Sequence, residues 1–207
     1  MDKEKCMDKC AGGMRIGIYG GSFNPIHNGH TQLAASILEQ GLVDELWLLV
    51  SPLNPLKEKE SAGIAPYEHR LHMAQLATED MSHVKVSDFE SRLPVPSYMV
   101  NTLAALCRSY PQHVFTLIIG ADNWRDFHKW HRHDEILRKY GVMVYRRPGC
   151  AIDETALPDS VKIVDTELYD ISSTQIRDAM RSGSEEMVRD WLDRKVVGYI
   201  KEHGLYK

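Results

Sequence analysis

The stretch Gly20-Gly21-Ser22-Phe23-Asn24-Pro25-Ile26-His27-Asn28-Gly29-His30 gathers residue types that suit a phosphate undergoing chemistry. Adjacent glycines let the backbone approach a ligand closely and turn its N–H groups outward. An apolar run before the stretch (Met14 to Tyr19) and another after it (Leu33 to Leu38) make it a junction of strand, turn and helix. Asn28 is expected to cap that helix, whose positive N-terminal end favours an anion. His27 and His30 bring two imidazoles to the same mouth. Far downstream, Ile171-Ser172-Ser173-Thr174-Gln175-Ile176-Arg177 sets out a second helix start. Ser172, Ser173 and Thr174 offer hydroxyls and backbone N–H groups there, and Arg177 follows one turn on. Alone, such a Ser-Ser-Thr run is a capping cluster. Beside the first stretch it reads as the second half of a polyphosphate clamp. The glycine turn is not G-x-G-x-x-G, and no Gly-Lys-Ser/Thr occurs, which disfavours hydride transfer and P-loop phosphotransfer.

These residues need a scaffold, and the apolar patterning supplies one. Short continuous apolar runs at 14–19, 44–50, 84–87, 113–119, 141–145 and 161–164 read as strands, several of them buried on both faces. Between and after them come helical patterns: one following His30, one from Pro66 to Ala77 with Leu71, Ala74 and Leu76 or Ala77 as its apolar stripe, and one capped by Ser97 and running to about Ser109. Others lie around 135–138, from 172, at 185–192 and at 196–203. The alternation predicts an α/β fold, a doubly wound, mostly parallel Rossmann-like sheet with a small helical C-terminal portion from about 172 to 207. Residues 1–13 are expected to be a flexible extension, and 14–207 a single domain. In such sheets ligands bind beyond the carboxyl ends of the strands. The glycine turn, Ser51 to Lys57, Gly120 to Trp124 and Arg146-Arg147 all fall at that edge.

Composition narrows the class of partner. The 207 residues are 43% hydrophobic and 26% charged, with a net charge of −4, which argues against a broad nucleic-acid surface. No apolar run approaches a membrane span, and the charged start lacks a signal-peptide apolar region. Four scattered cysteines suit reduced thiols in the cytoplasm. His128, His131 and His133 share no helix or strand face, so no metal site is expected there.

At this point the chain resembles the adenylyltransferase branch of the nucleotidyltransferase superfamily, marked by H-x-G-H and I-S-S-T-x-x-R. Both are present, as His27–His30 and Ile171–Arg177. The resemblance is strongest to bacterial nicotinate-nucleotide adenylyltransferases and runs from Met14 to Tyr206. It takes in Pro52 to Lys57, Gly120 to Asn123, Lys129 to His131 and Arg146 to Gly149. It implies transfer of the adenylyl group of ATP to nicotinate mononucleotide, giving nicotinate adenine dinucleotide and pyrophosphate, with Mg²⁺ held mainly through ATP oxygens.

By the same resemblance His27, His30 and Arg177 are the catalytic group. Gly20, Gly21, Ser22, Phe23, Ser172, Ser173 and Thr174 would hold phosphate, with Lys57 and Arg70 as further candidate partners. The nucleotide and nicotinate side falls to Asn24, Tyr98, Thr102, Asp122, Trp130, His131 and Arg147. Trp130 offers a stacking face to a pyridine ring, whereas His131 stands where many members carry tyrosine. Asp122 is expected to bond a ribose. Nicotinamide mononucleotide or phosphopantetheine as acceptor, and a non-catalytic nucleotide-sensing module, stand as alternatives. Threonine is usual at the position of His27 in the phosphopantetheine family, so His27 favours the pyridine branch. A homo-oligomer stays open.

Overall fold

The computed structural model describes residues 12–52, 63–94, 96–166 and 171–207. Six strands form one sheet: β1 (Arg15–Gly21), β2 (Glu45–Val50), β3 (Val84–Ser87), β4 (Val114–Gly120), β5 (Val142–Tyr145) and β6 (Val161–Val164). Their order is β3-β2-β1-β4-β5-β6, and every pairing is parallel. Ile18 of β1 stands opposite Trp47 of β2 on one side and Leu117 of β4 on the other.

Strand residues alternate between two apolar layers, as the two-residue strand period requires. Leu46, Leu48 and Val50 of β2 face one layer and Trp47 and Leu49 the other. The first layer is covered by α1 (Asn28–Glu39) through Leu33 and Ile37, and by α2 (Tyr67–Thr78) through Met73. The C-terminal helices α6 (Ser173–Arg181), α7 (Glu185–Arg189) and α8 (Arg194–Glu202) add Ile176, Val188, Val196 and Ile200. The second layer is covered by α3 (Met99–Ser109) with Val100, Leu103 and Leu106, and by α5 (His133–Lys139) with Ile136. A short α4 (Ala121–Arg125) continues directly from β4. None of the helices among the described residues is long and apolar enough to cross a membrane.

Three local expectations are corrected. The N-cap of α1 is His27, not Asn28. Asn28 instead ties the first turn to the C-terminal helices, its side-chain amide donating to the carbonyl of Asp190 and its N–H to that of Trp191. Helix α3 starts from Tyr98 without a side-chain cap; Ser97 turns its hydroxyl to the Glu90 carboxyl. The buried stripe of α2 is Arg70, Met73, Ala74 and Thr78; of the expected stripe Ala74 belongs to it, whereas Leu71, Leu76 and Ala77 pack against the core only partly buried. That face can turn inward because the Arg70 guanidinium is saturated by carbonyl groups. Its Nε donates to Ala65, Nη1 to Ser22 and Ser51, and Nη2 to Pro52.

Candidate active site

The strand order reverses between β1 and β4, and a cleft of about 810 Å³ opens there at the carboxyl edge of the sheet. The turn after β1 forms its floor, with Gly20, Gly21, Ser22, Phe23 and Asn24 in the lining. Phe23 takes a left-handed backbone, φ 44°, unusual for an aromatic residue, and its ring folds back over Gly21. A Cβ on Gly21 would meet that ring at 2.9 Å, so the second glycine is a packing requirement as well as a source of N–H groups.

His27 and His30 stack at 3.7 Å between ring centroids, and Phe23 packs edge-on against His30 at 5.1 Å. The backbone N–H of His27 donates to Nδ1 of His30 (3.1 Å). Burial, then the nearby Arg147 charge, pushes the His27 pKa down to about 3. Burial, His27 and Arg147 hold His30 well below its ordinary value. Both rings are therefore neutral at pH 7. With Nδ1 accepting, the proton of His30 sits on Nε2, and that N–H is the donor it can offer. Nδ1 of His27 is buried with no partner.

The second motif docks directly on the first. Ser172 caps α6 and trades hydrogen bonds with Gln175. Ser173 donates from its hydroxyl to the carbonyl of Pro25 (2.9 Å), and Arg177 from Nη1 to the carbonyl of Asn24 (2.8 Å). Nη2 of Arg177 holds the Thr174 hydroxyl at 3.1 Å. All four side chains line the cleft. One run thus both caps α6, through Ser172, and presents hydroxyls and a guanidinium to the cleft.

On the other flank, Tyr98 and His131 lie 4.6 Å apart between ring centroids, with Trp130 beside them. Nε1 of Trp130 is a buried donor without a partner. Trp124 stacks on Phe127 at 5.3 Å as part of the second apolar layer. Asp122, at the end of β4, reaches Arg147, at the end of β5, with 3.6 Å between Oδ1 and Nε. Neither of those two atoms has a hydrogen-bond partner. Burial opposes the Arg147 charge, but Tyr145 and Asp122 more than offset it and its pKa is raised. Gly120 leaves the room in which this pair meets: a Cβ there would collide with the Asp122 carboxylate and press on Arg147.

The chain matches the cytidylyltransferase-like family over residues 18–179. A Bacteroides thetaiotaomicron relative named "Probable nicotinate-nucleotide adenylyltransferase" is 42% identical over 190 residues, which is 92% of each chain. A Flavobacterium johnsoniae relative of the same name is 40% identical over 196 residues, 94% of this chain and 100% of the relative. The chain belongs to the nicotinate-nucleotide adenylyltransferase family. Its fold is that of Plasmodium falciparum nicotinic acid mononucleotide adenylyltransferase complexed with NaAD, at a TM-score of 0.80 and 20% identity over 93% of this chain and 97% of that one.

For an adenylyltransferase of this family the cleft brings together nearly every residue singled out from sequence. Two are displaced from it by their burial or by their hydrogen bonds. Thr102 is fully buried behind the wall and donates to Glu90 at 3.2 Å, so it reaches the cleft only through that carboxyl. Arg70 is 2% exposed and engaged by four carbonyls, so it braces loops rather than phosphate. Asn24 lines the cleft, but its amide is engaged within the protein, to Gly63, Ala65 and Tyr206. Lys57 lies outside the described residues. Sequence reasoning missed Glu90, which lines the cleft with its pKa raised by burial and faces the hydroxyls of Ser51, Thr102 and Ser97. It also missed Tyr19 and Tyr145, whose hydroxyls meet at 3.2 Å and support Arg147, with 3.0 Å from Nη2 to the Tyr145 oxygen. A single acid in an irregular stretch carries no spacing signal. An aromatic ending a strand reads as core.

Proposed function

We propose that this chain transfers the adenylyl group of ATP to nicotinate mononucleotide, forming nicotinate adenine dinucleotide and releasing pyrophosphate. The observation that carries the reading is the joined clamp: neutral His30 with its proton on Nε2, and Arg177 anchored on the Asn24 carbonyl, open into one cleft. An oxygen of the acceptor 5′-phosphate forms a bond to the α-phosphorus. The bond from that phosphorus to the bridging oxygen breaks, and pyrophosphate leaves with the electron pair. Such a transfer needs orientation and donors aimed at growing charge rather than a protein nucleophile. Neutral histidines serve as donors here and need not pass a proton on.

The backbone of Gly20 to Phe23 and the Ser172–Thr174 turn support phosphate binding at the first strand, with Arg177 at the β,γ end. Tyr98, Trp130 and His131 form an aromatic shelf that suits the pyridine ring. Met99, the first residue of α3, lines the same cleft. The positive end of that helix favours a carboxylate over an amide, which supports nicotinate over nicotinamide. Asp122 and Arg147 line the cleft as an ion pair, and their outer atoms suit ribose hydroxyls and phosphate. Among the described residues no group of three His, Cys, Asp or Glu side chains could hold a metal ion. Mg²⁺ would arrive on ATP oxygens, where it neutralises phosphate charge. We place the reaction in the cytoplasm, where ATP is plentiful.

The test is pyrophosphate release with ATP and Mg²⁺, offering nicotinate mononucleotide, nicotinamide mononucleotide and phosphopantetheine in separate reactions. Release with the first at the highest kcat/KM is expected. Preference for another acceptor overturns the substrate assignment, and binding without release with any of them indicates a sensor.

A further inference from the structure

We propose that Tyr206 is a positioning residue of the phosphate clamp, acting through Asn24 on Arg177. This rests on the adenylyltransferase reading, in which Arg177 grips ATP. The Tyr206 hydroxyl donates to Oδ1 of Asn24 at 2.8 Å, across 182 residues of sequence, and the contact is buried. An amide oxygen cannot donate, so the phenol is the donor, and burial raises its pKa and keeps it protonated. The same Oδ1 accepts from the N–H of Ala65 at 3.0 Å, while Nδ2 donates to the carbonyl of Gly63 at 3.2 Å. Asn24 is thereby fixed on three sides, and its own carbonyl is the anchor for Nη1 of Arg177 at 2.8 Å.

Tyr206 is 8% exposed and holds a left-handed backbone, φ 63°, which a bulky side chain adopts only when its surroundings enforce it. Its ring belongs to the apolar layer shared with Ile176 of α6 and Ile200 of α8. The phenol therefore joins the helical layer to the turn after β1. Without the hydroxyl, Oδ1 keeps its bond to Ala65, so the amide stays satisfied and the fold is retained. What is lost is the third constraint on the Asn24 side chain, and with it the set position of the Asn24 carbonyl and of the arginine it anchors.

Tyr206→Phe removes only that oxygen. The experiment compares it with the intact full-length protein by calorimetric titration with ATP, by separate KM values for ATP and nicotinate mononucleotide, and by thermal melting. The expected result is an ATP Kd and KM raised about fivefold to twentyfold, an acceptor KM within twofold and a melting temperature lowered by only a few degrees. Unchanged ATP binding overturns the proposal, as does an equal loss on both substrates or a change in melting alone. Failure of the parent protein to release pyrophosphate while it still binds ATP would instead fall on the adenylyltransferase reading, and the titration still decides the role of Tyr206. If the parent does not bind ATP, both fall.

Discussion

The backbone N–H of His27 points at Nδ1 of His30 across 3.1 Å, and this contact dictates which face of the second imidazole carries a proton. His30 is neutral through burial first, then through His27 and the Arg147 charge beside it, so its Nε2–H is a fixed donor rather than a titrating acid. His30→Ala is expected to lower kcat by roughly a hundredfold to a thousandfold, in line with loss of one donor to transition-state charge, while ATP binding weakens only a few-fold. Steady-state kinetics beside ATP titration separate the two; an unchanged kcat would reduce His30 to a helix-capping role.

Acidification should destabilise the protein through these rings. His27 is lowered from 6.5 to about 3, so below pH 6.5 the unfolded chain binds a proton that the folded chain refuses. Stability then rises with pH across that window, is fully present above it, and is lost as pH falls from 6.5 toward 3. By pH 5 the loss from His27 amounts to at most about 2 kcal/mol. Thermal melts between pH 5 and pH 8 are expected to decline on the acid side, and His27→Asn should flatten that decline.

Trp130→Ala is expected to raise KM for nicotinate mononucleotide at least about tenfold, through lost stacking area, with ATP parameters little changed. Initial-rate measurements varying each substrate in turn check it. A defect confined to ATP would place the indole on the wrong substrate.

Arg70→Met keeps the length of the side chain but strips donors from the carbonyls of Ser22, Ser51, Pro52 and Ala65. The expected cost is about 3 kcal/mol or more, read from the urea denaturation midpoint. The result would mark Arg70 as a brace of three loop roots and distinguish it from an arginine that touches ATP.

Much of the scaffold was legible because a parallel sheet covered on both faces must be apolar throughout. Val114 to Ile119 and Leu46 to Val50 announce themselves without periodicity. The cleft was legible because glycines, histidines and a Ser-Ser-Thr-x-x-Arg run cluster where strands end. What escaped was anything decided by partners distant in sequence. Arg70 reads as a candidate phosphate partner until four carbonyls surround it. Asn24 reads as a ligand contact until Gly63, Ala65 and Tyr206 claim its amide. Glu90 is an ordinary acid until Ser51, Ser97 and Thr102 enclose it. Asn28 had the right chemistry for a cap, but His27 takes the extended cap position and leaves Asn28 as the first helical residue, its donors on the carbonyls of Asp190 and Trp191.

The bonds from Ser173 to Pro25 and from Arg177 to Asn24 span 148 and 153 residues. During synthesis the glycine turn leaves the ribosome long before its counterpart exists. A nascent chain can therefore form β1 and α1 and still lack a competent nucleotide site. On the proposed reading, truncated products that stop short of α6 are expected to consume no ATP.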